Sequence, residues 1–135
     1  MSQIPETDLR VWLPIPYDQA VERTREALKT EGFGVLSEID VKATLKNKLD
    51  ADFRQYVILG ACNPPLAYEA FQAELEIGLL LPCNVIVYEQ DQGCVVSVLD
   101  PDVMSKLVDN PAIISVAGQA RTKLARVIAG LSGAA

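Results

Sequence analysis

The sequence contains no histidine among its 135 residues, and this absence excludes several kinds of site. Histidine is the commonest general base near neutral pH and the commonest metal ligand in proteins. A Ser–His or Cys–His mechanism within one chain is therefore excluded. A zinc or iron site that depends on histidine ligands is excluded for the same reason.

Long apolar runs and a basic leader are also missing. No apolar run approaches the ~18 residues that a membrane-spanning helix needs, and the run over residues 77–81 ends at Pro82. Residues 1–8 are polar and acidic and lack the basic and apolar segments of a secretory signal. These absences favour a cytoplasmic protein without a membrane partner, in which the cysteines are reduced thiols and not disulfides.

Positive charge is absent from the middle of the chain. Residues 55–105 contain no lysine or arginine but seven acidic residues, and the net charge of the whole chain is −6. A surface of this sign binds nucleic acid and anionic membranes poorly. We therefore expect no nucleic-acid partner.

Half of the residues are hydrophobic, and the length fits a single domain over residues 1–135. Apolar patterns and turn residues predict five strands, over residues 10–15, 33–39, 55–61, 84–89 and 95–99. Helix caps and helical periodicity predict five helices, over residues 18–31, 41–49, 64–76, 103–107 and 112–129. The predicted order is β-α-β-α-β-α-β-β-α-α. This order indicates an α+β fold: a sheet of about five strands with helices packed on it, ending in a long C-terminal helix.

Three motifs carry a resemblance to a known family. They are DVKATLK at residues 40–46, LGACNPPLA at residues 59–67 and LLLPCNVIVYE at residues 79–89. In this order they are similar to three signatures of the bacterial and archaeal domain-of-unknown-function family 302, over roughly residues 18–130. The resemblance implies a small α+β domain that is often a homodimer and has no settled activity. In the family pattern a basic residue often follows the second cysteine. Here Asn84 stands there, which counts against a positively charged anion site beside Cys83.

Cys62 is the first candidate for chemistry, because it directly precedes the start of a predicted helix. Asn63 is a natural N-cap, and Pro64 stands at the first helical position. A helix N-terminus favours negative charge and can lower the pKa of a thiol there, whereas burial raises it. Asn63 could also orient a ligand at this terminus, and Asn84 could meet it there.

Cys83 is the second candidate, since the chain is just long enough to return it to Cys62. A helix of ~13 residues is ~20 Å long, and six extended residues span about the same distance. If the strand after Cys83 runs antiparallel to the strand before Cys62, the two thiols share one end of the sheet. If it runs parallel, they are separated. The sequence leaves both arrangements open.

Adjacent thiols would have three uses. They could hold Cu(I) or another soft metal, form a reversible disulfide, or carry and resolve a persulfide. The candidate ligand-binding residues are Cys62, Asn63, Cys83 and Asn84, with Cys62 and Cys83 as candidate metal ligands, and the cofactor is unknown. The alternative is that both cysteines are small buried residues that only pack. We interpret Cys94 in that way.

Three functions therefore stay open. The first is a small binding or carrier domain with a thiol site for a thiophilic metal or a sulfur species. The second is a homodimeric interaction module with structural cysteines, for which Trp12, Ile15 and Tyr17 are a candidate face. The third is an enzyme with Cys62 as nucleophile. The lack of histidine, of a carboxylate pair and of a phosphate-binding loop favours binding over catalysis.

Overall fold

The structure is a computed structural model and describes residues 5–134. Residues 1–4 and residue 135 lie outside the described residues. Part of the interpretation of the N-terminus rests on residues 1–4. The strands are β1 Arg10–Leu13, β2 Gly34–Asp40, β3 Tyr56–Cys62, β4 Cys83–Gln90 and β5 Gly93–Val98. The α-helices are α1 Tyr17–Thr30, α2 Val41–Leu49, α3 Pro64–Ala73, α4 Asp102–Leu107 and α5 Pro111–Ala134, and a 3-10 helix spans Leu75–Leu80.

The five strands form one sheet in the order β1-β5-β4-β3-β2, and every neighbouring pair is antiparallel. The α+β fold with a long C-terminal helix is therefore confirmed. A tight turn joins β4 to β5, and both Asp91 and Gln92 have a positive φ there. Two consecutive residues of this kind match the twist of the hairpin strands.

One face of the sheet lies under α1 and α5 and forms the core. Its register places Val11, Val96, Val87 and Val57 side by side on adjacent strands, and all four are buried. The buried face of α5 packs against this layer with Ile113, Val116, Leu124 and Val127 among its residues. Within residues 5–134, no helix combines the length and apolarity needed to cross a bilayer.

The opposite face of the sheet is aromatic. Trp12 and Tyr88 are the cross-strand neighbours of Val95, and Tyr88 stacks on Tyr56 with a ring-centroid distance of 5.2 Å. The Trp12 indole donates a hydrogen bond to the Gln90 carbonyl at 2.8 Å. Cross-strand aromatic pairs of this kind stabilise the sheet on the side that α1 and α5 leave uncovered.

The prediction for residues 64–82 is partly wrong. The helix α3 ends at Ala73 and not near residue 76, and a 3-10 helix replaces the expected extended return segment. The physical reason is local: Glu74 adopts an extended backbone, and its carboxylate accepts a hydrogen bond from the Glu76 amide at 2.9 Å. This side-chain cap ends one helix and begins the next, because acidic side chains satisfy free N–H groups at helix starts.

Two further helix boundaries differ from the predictions. The helix α1 begins at Tyr17, so that Asp18 lies in its first turn and does not cap it. A carboxylate in that turn still interacts favourably with the helix dipole. The helix α5 continues to Ala134, beyond the predicted end at residue 129.

Candidate functional site

Cys62 and Cys83 lie at the same end of the sheet. The strands β3 and β4 are antiparallel, and Ala61 is the direct partner of Cys83. Cys62, the next residue along β3, is therefore a near neighbour of Cys83. The antiparallel arrangement is therefore the one of the two open alternatives that occurs, and the two cysteines share one end of the sheet.

Asn63 begins α3 and ties it to α1. Its Oδ1 accepts a hydrogen bond from the Leu66 amide at 3.4 Å, and its Nδ2 donates to the Glu31 carbonyl at 3.2 Å. The side chain is only 9% exposed. The N-cap prediction is confirmed, and the amide is largely occupied by these two backbone partners.

A cavity of about 260 Å³ opens beside the two cysteines. Cys62, Asn63 and Cys83 all line it, and apolar side chains such as Phe33 and Leu66 form the remaining walls. Within residues 5–134, no charged side chain contributes to the lining. The volume equals roughly nine water molecules at ~30 Å³ each, which suits an ion or a small molecule and not a nucleotide.

The electrostatics of the cavity keep Cys83 neutral. Burial raises the pKa of the Cys83 thiol, and the proximity of Cys62 raises it further. Both cysteines are free and half-buried. The Cys83 thiol therefore stays protonated at neutral pH in the ligand-free protein.

Asn84 does not line the cavity that Cys62, Asn63 and Cys83 share. It is exposed, stands opposite Gly60 on β3, and lines a neighbouring cavity of about 240 Å³ with Leu99 and Val103. Successive residues of a strand point to opposite faces, and this alternation separates Asn84 from the cavity that Asn63 lines. Cys83 borders both cavities.

Met104 is a sulfur-bearing residue of the cavity wall that the sequence did not single out. It lies on α4 and is 5% exposed. The available signal was weak, since one methionine in a short predicted helix usually only fills a core. Its position 21 residues after Cys83 carries no recognisable spacing.

Cys94 lies elsewhere, at the start of β5. It is fully buried, and its Sγ donates a hydrogen bond to the Ile15 carbonyl at 3.6 Å. Burial, assisted by Glu89, raises the pKa of its thiol to about 11. Its surroundings agree with a packing role. Of the candidate face, Ile15 and Tyr17 are half-buried against the core, and both line an open groove at the other end of the sheet.

A larger groove of about 890 Å³ lies at the opposite end of the sheet. It is open to solvent, and Tyr17, Phe53 and Arg54 are among its lining residues. In the described part of the chain, its walls contain no cysteine. The same part of the chain holds no group of three or more histidine, cysteine, aspartate or glutamate side chains arranged for a metal ion. The smaller, uncharged cavity beside Cys62 and Cys83 is therefore the better candidate.

Comparison with known proteins agrees with the resemblance of the three motifs. None of the curated proteins compared matches this chain. The model of a family described as "Domain of unknown function DUF302" matches residues 9–131. A solved structure, "Crystal structure of uncharacterized conserved protein DUF302 from Bacillus stearothermophilus", aligns with a TM-score of 0.81 and 30% identity, covering 89% of this chain and 94% of that one. The chain therefore belongs to the DUF302 family, whose biochemical role is not known.

Proposed function

We propose that this domain binds a small soft ligand, a thiophilic metal ion or a sulfur species, through the sulfur atoms of Cys62 and Cys83. The observation that carries the proposal is that two free cysteines on adjacent antiparallel strands line one uncharged cavity. Reduced thiols of this kind are expected in the cytoplasm, where we propose that the protein acts.

The chemistry of the lining supports a soft ligand over a hard one. Ions such as Mg²⁺ and Ca²⁺ require several oxygen ligands, and the walls beside the cysteines are apolar. Thiolates select thiophilic metals instead. A sulfur species would be carried as a persulfide, which forms when one thiolate takes the terminal sulfur of a polysulfide and the polysulfide leaves one sulfur shorter.

The raised pKa of Cys83 counts against this residue as a nucleophile. A nucleophilic cysteine needs a thiolate near neutral pH, and burial acts against that state at this position. A soft metal ion displaces the thiol proton when it binds, so its affinity rises with pH. This linkage gives a carrier that releases its ligand on acidification.

Cu(I) is the probe that tests the proposal. Under reducing, anaerobic conditions the protein would compete for Cu(I) with a chromophoric chelator, and the variants Cys62→Ala and Cys83→Ala would be compared with Cys94→Ala. Each of the first two variants should weaken binding by at least about tenfold, or ~1.4 kcal/mol, whereas Cys94→Ala should bind like the wild type. Equal binding by all four proteins would refute the metal site.

The sulfur arm is tested on the same variants with inorganic polysulfide. Mass spectrometry of peptides would locate any added sulfur. Selective labelling of Cys62 or Cys83, without labelling of Cys94, supports a sulfur carrier. Labelling of all three cysteines at equal rates would exclude a dedicated site.

A second proposal is that the chain forms a homodimer through β2. This strand has seven residues at the edge of the sheet, and its Leu36 and Ile39 are exposed. An open edge with apolar side chains is a template for pairing with another strand. Leu36 also lines the cavity, so a second copy paired along β2 would cover part of the opening.

Light scattering after size-exclusion chromatography tests the dimer. Ile39→Lys should dissociate it, because a charge on an edge strand opposes edge pairing. Ile114→Lys is the matched control, since Ile114 is 48% exposed on α5 and Ile39 is 50% exposed. Equal masses for both variants would place the interface elsewhere, and a monomeric wild type would end the proposal.

A further inference from the structure

We propose that the cavity beside Cys62 and Cys83 binds the hydrocarbon part of a small uncharged molecule. The inference goes beyond the proposed function, because it requires no bond to a sulfur atom. It begins from the volume of the cavity, which is about 260 Å³. A single metal ion would fill only a small part of this space, and the walls around the remainder are apolar.

Small side chains leave the space open. Five of the lining residues are alanine or glycine: Ala61 on β3, Ala67 and Ala70 on α3, Gly78 on the 3-10 helix and Ala120 on α5. Protein interiors are otherwise packed as closely as organic crystals, with few voids larger than a water molecule. The walls of a void of this size therefore lack the contacts that a bound apolar group would supply.

The cavity reaches from the surface into the core. Phe33, Leu66 and Val116 line it and are buried, whereas Leu36 is 73% exposed and Phe71 is 41% exposed. The exposed pair marks the side on which the cavity meets the solvent. A ligand that enters there removes apolar surface from water at the opening and fills the buried end, and both changes are favourable.

The lining offers little to a polar or charged ligand. Asn63 is the one polar side chain besides the two thiols in the described lining, and its amide already binds Glu31 and Leu66. Burial raises the pKa of the Cys83 thiol and keeps it uncharged. A charged group that moved into this space would lose its hydration without a partner in return. The cavity therefore selects an uncharged ligand.

The volume sets the size of the ligand. An apolar cavity of about 150 Å³ accommodates benzene. By proportion, a cavity of about 260 Å³ accommodates roughly ten carbon atoms. Water is a poor competitor for this space, because an ordered water molecule needs ~2–4 polar partners and the walls are apolar.

Straight-chain primary alcohols of increasing length are the probe, and titration calorimetry measures their affinity for the full chain. Each added CH₂ that enters the cavity should tighten binding by about three- to fourfold, which corresponds to ~0.8 kcal/mol. The affinity should stop rising once the alcohol has roughly ten carbon atoms, because further CH₂ groups stay in water. Adsorption to the protein surface would show no such limit.

Ala67→Leu tests whether the limit belongs to this cavity. Its added carbon atoms, about three, would occupy part of the space, so the limit should fall to roughly seven carbon atoms. Gly78→Leu is a second filling variant, at a position where an added Cβ would lie 3.4 Å from the Phe71 ring. Gln72→Leu is the matched control, since Gln72 is exposed on α3 and does not line the cavity. Its limit should equal that of the wild type.

The outcomes decide the hydrocarbon site. A limit that either filling variant shortens and Gln72→Leu keeps supports it. Three results would each overturn it: no binding of the alcohols by the wild type, an affinity that rises without limit, or a limit that both filling variants leave unchanged.

The cysteine variants separate this site from the soft-ligand site. Cys62→Ala and Cys83→Ala each remove a sulfur atom without making the walls more polar, so both should bind the alcohols at least as tightly as the wild type. If the wild type binds the alcohols but not Cu(I), the metal site fails and the hydrocarbon site stands. If it binds Cu(I) but none of the alcohols, only the hydrocarbon site is overturned.

Discussion

Asn63 Nδ2 donates a hydrogen bond to the Glu31 carbonyl at 3.2 Å, and this bond joins the end of α1 to the start of α3. The Oδ1 of the same side chain caps α3 at the Leu66 amide. Carbonyl groups at helix ends and amide groups at helix starts lack partners within their own helix. One side chain therefore satisfies groups from two helices, directly beside Cys62.

Asn63→Ala should lower the free energy of unfolding by about 1–3 kcal/mol, because it removes a helix cap and a largely buried hydrogen bond. Asn63→Asp keeps the acceptor for α3 but loses the donor to Glu31, so it should lie between the wild type and Asn63→Ala. Urea unfolding measures all three. If Asn63→Asp is as stable as the wild type, the bond to Glu31 contributes nothing; if it is only as stable as Asn63→Ala, the cap on α3 contributes nothing.

Gly32→Ala should be destabilising for two reasons at one position. Gly32 has a φ of +83°, and an added Cβ would lie 3.1 Å from Asn63 Nδ2. A residue with a Cβ is strained in this conformation, so the free energy of unfolding should fall by about 1–2 kcal/mol. Thermal or urea unfolding measures the loss, and a neutral result would contradict the close packing of Gly32 on Asn63.

Gly118→Ala is the matched control, and its effect on the free energy of unfolding should have the opposite sign. Gly118 lies inside α5, and a Cβ there meets no described atom within 4 Å beyond the helix's own nearby backbone. Alanine is more favourable than glycine in a helix interior by about 0.5–1 kcal/mol. The same unfolding experiment should therefore show a gain in stability. A loss would indicate that a partner covers this exposed part of α5.

The rate at which Cys83 is alkylated should depend on the presence of Cys62. Because burial and Cys62 both raise the pKa of the Cys83 thiol, its reaction with iodoacetamide should be slow at pH 7 and accelerate at alkaline pH. In Cys62→Ala the contribution of Cys62 disappears, so the pH profile of Cys83 should move to lower pH. Peptide mass spectrometry across pH 6–10 follows the rate, and an unchanged profile would contradict the proximity of the two thiols.

The raised pKa of the Cys94 thiol should make the folded protein less stable as the pH rises above 9. Its pKa is about 11 in the folded protein and 9.0 in the reference state, so the unfolded chain loses this proton first. The contribution is fully present below pH 9 and is lost as the pH rises towards 11. At ~1.4 kcal/mol per pKa unit, the loss approaches about 2–3 kcal/mol.

Cys94→Ala removes this thiol and, with it, the smallest contribution to the raised pKa of Tyr17, that of Cys94. The difference in unfolding free energy between the wild type and Cys94→Ala should shrink by this amount between pH 9 and pH 11. Parallel curves for the two proteins would mean that the Cys94 thiol ionises as easily in the folded protein as in the unfolded one.

Local signals predicted most of the elements. Asn63 before Pro64 marked the start of α3, and Asn110 before Pro111 marked the start of α5, where Asn110 Oδ1 accepts from the Ala112 amide at 2.9 Å. These signals are reliable because a cap and a proline act within four residues of chain. The 3-10 helix at Leu75–Leu80 was missed, since its leucine-rich sequence is compatible with an extended strand as well.

The sequence by itself determined most of the elements, the acidic charge, the absence of histidine chemistry and the family, because each depends on residue identity or on neighbours along the chain. Only the tertiary structure decided that Cys62 and Cys83 are neighbours, since this depends on the direction in which β4 pairs with β3. It also brought Met104 to their cavity and placed Asn84 outside it. Strand pairing and helix docking are set by burial over the whole core, and no short segment of sequence contains that information.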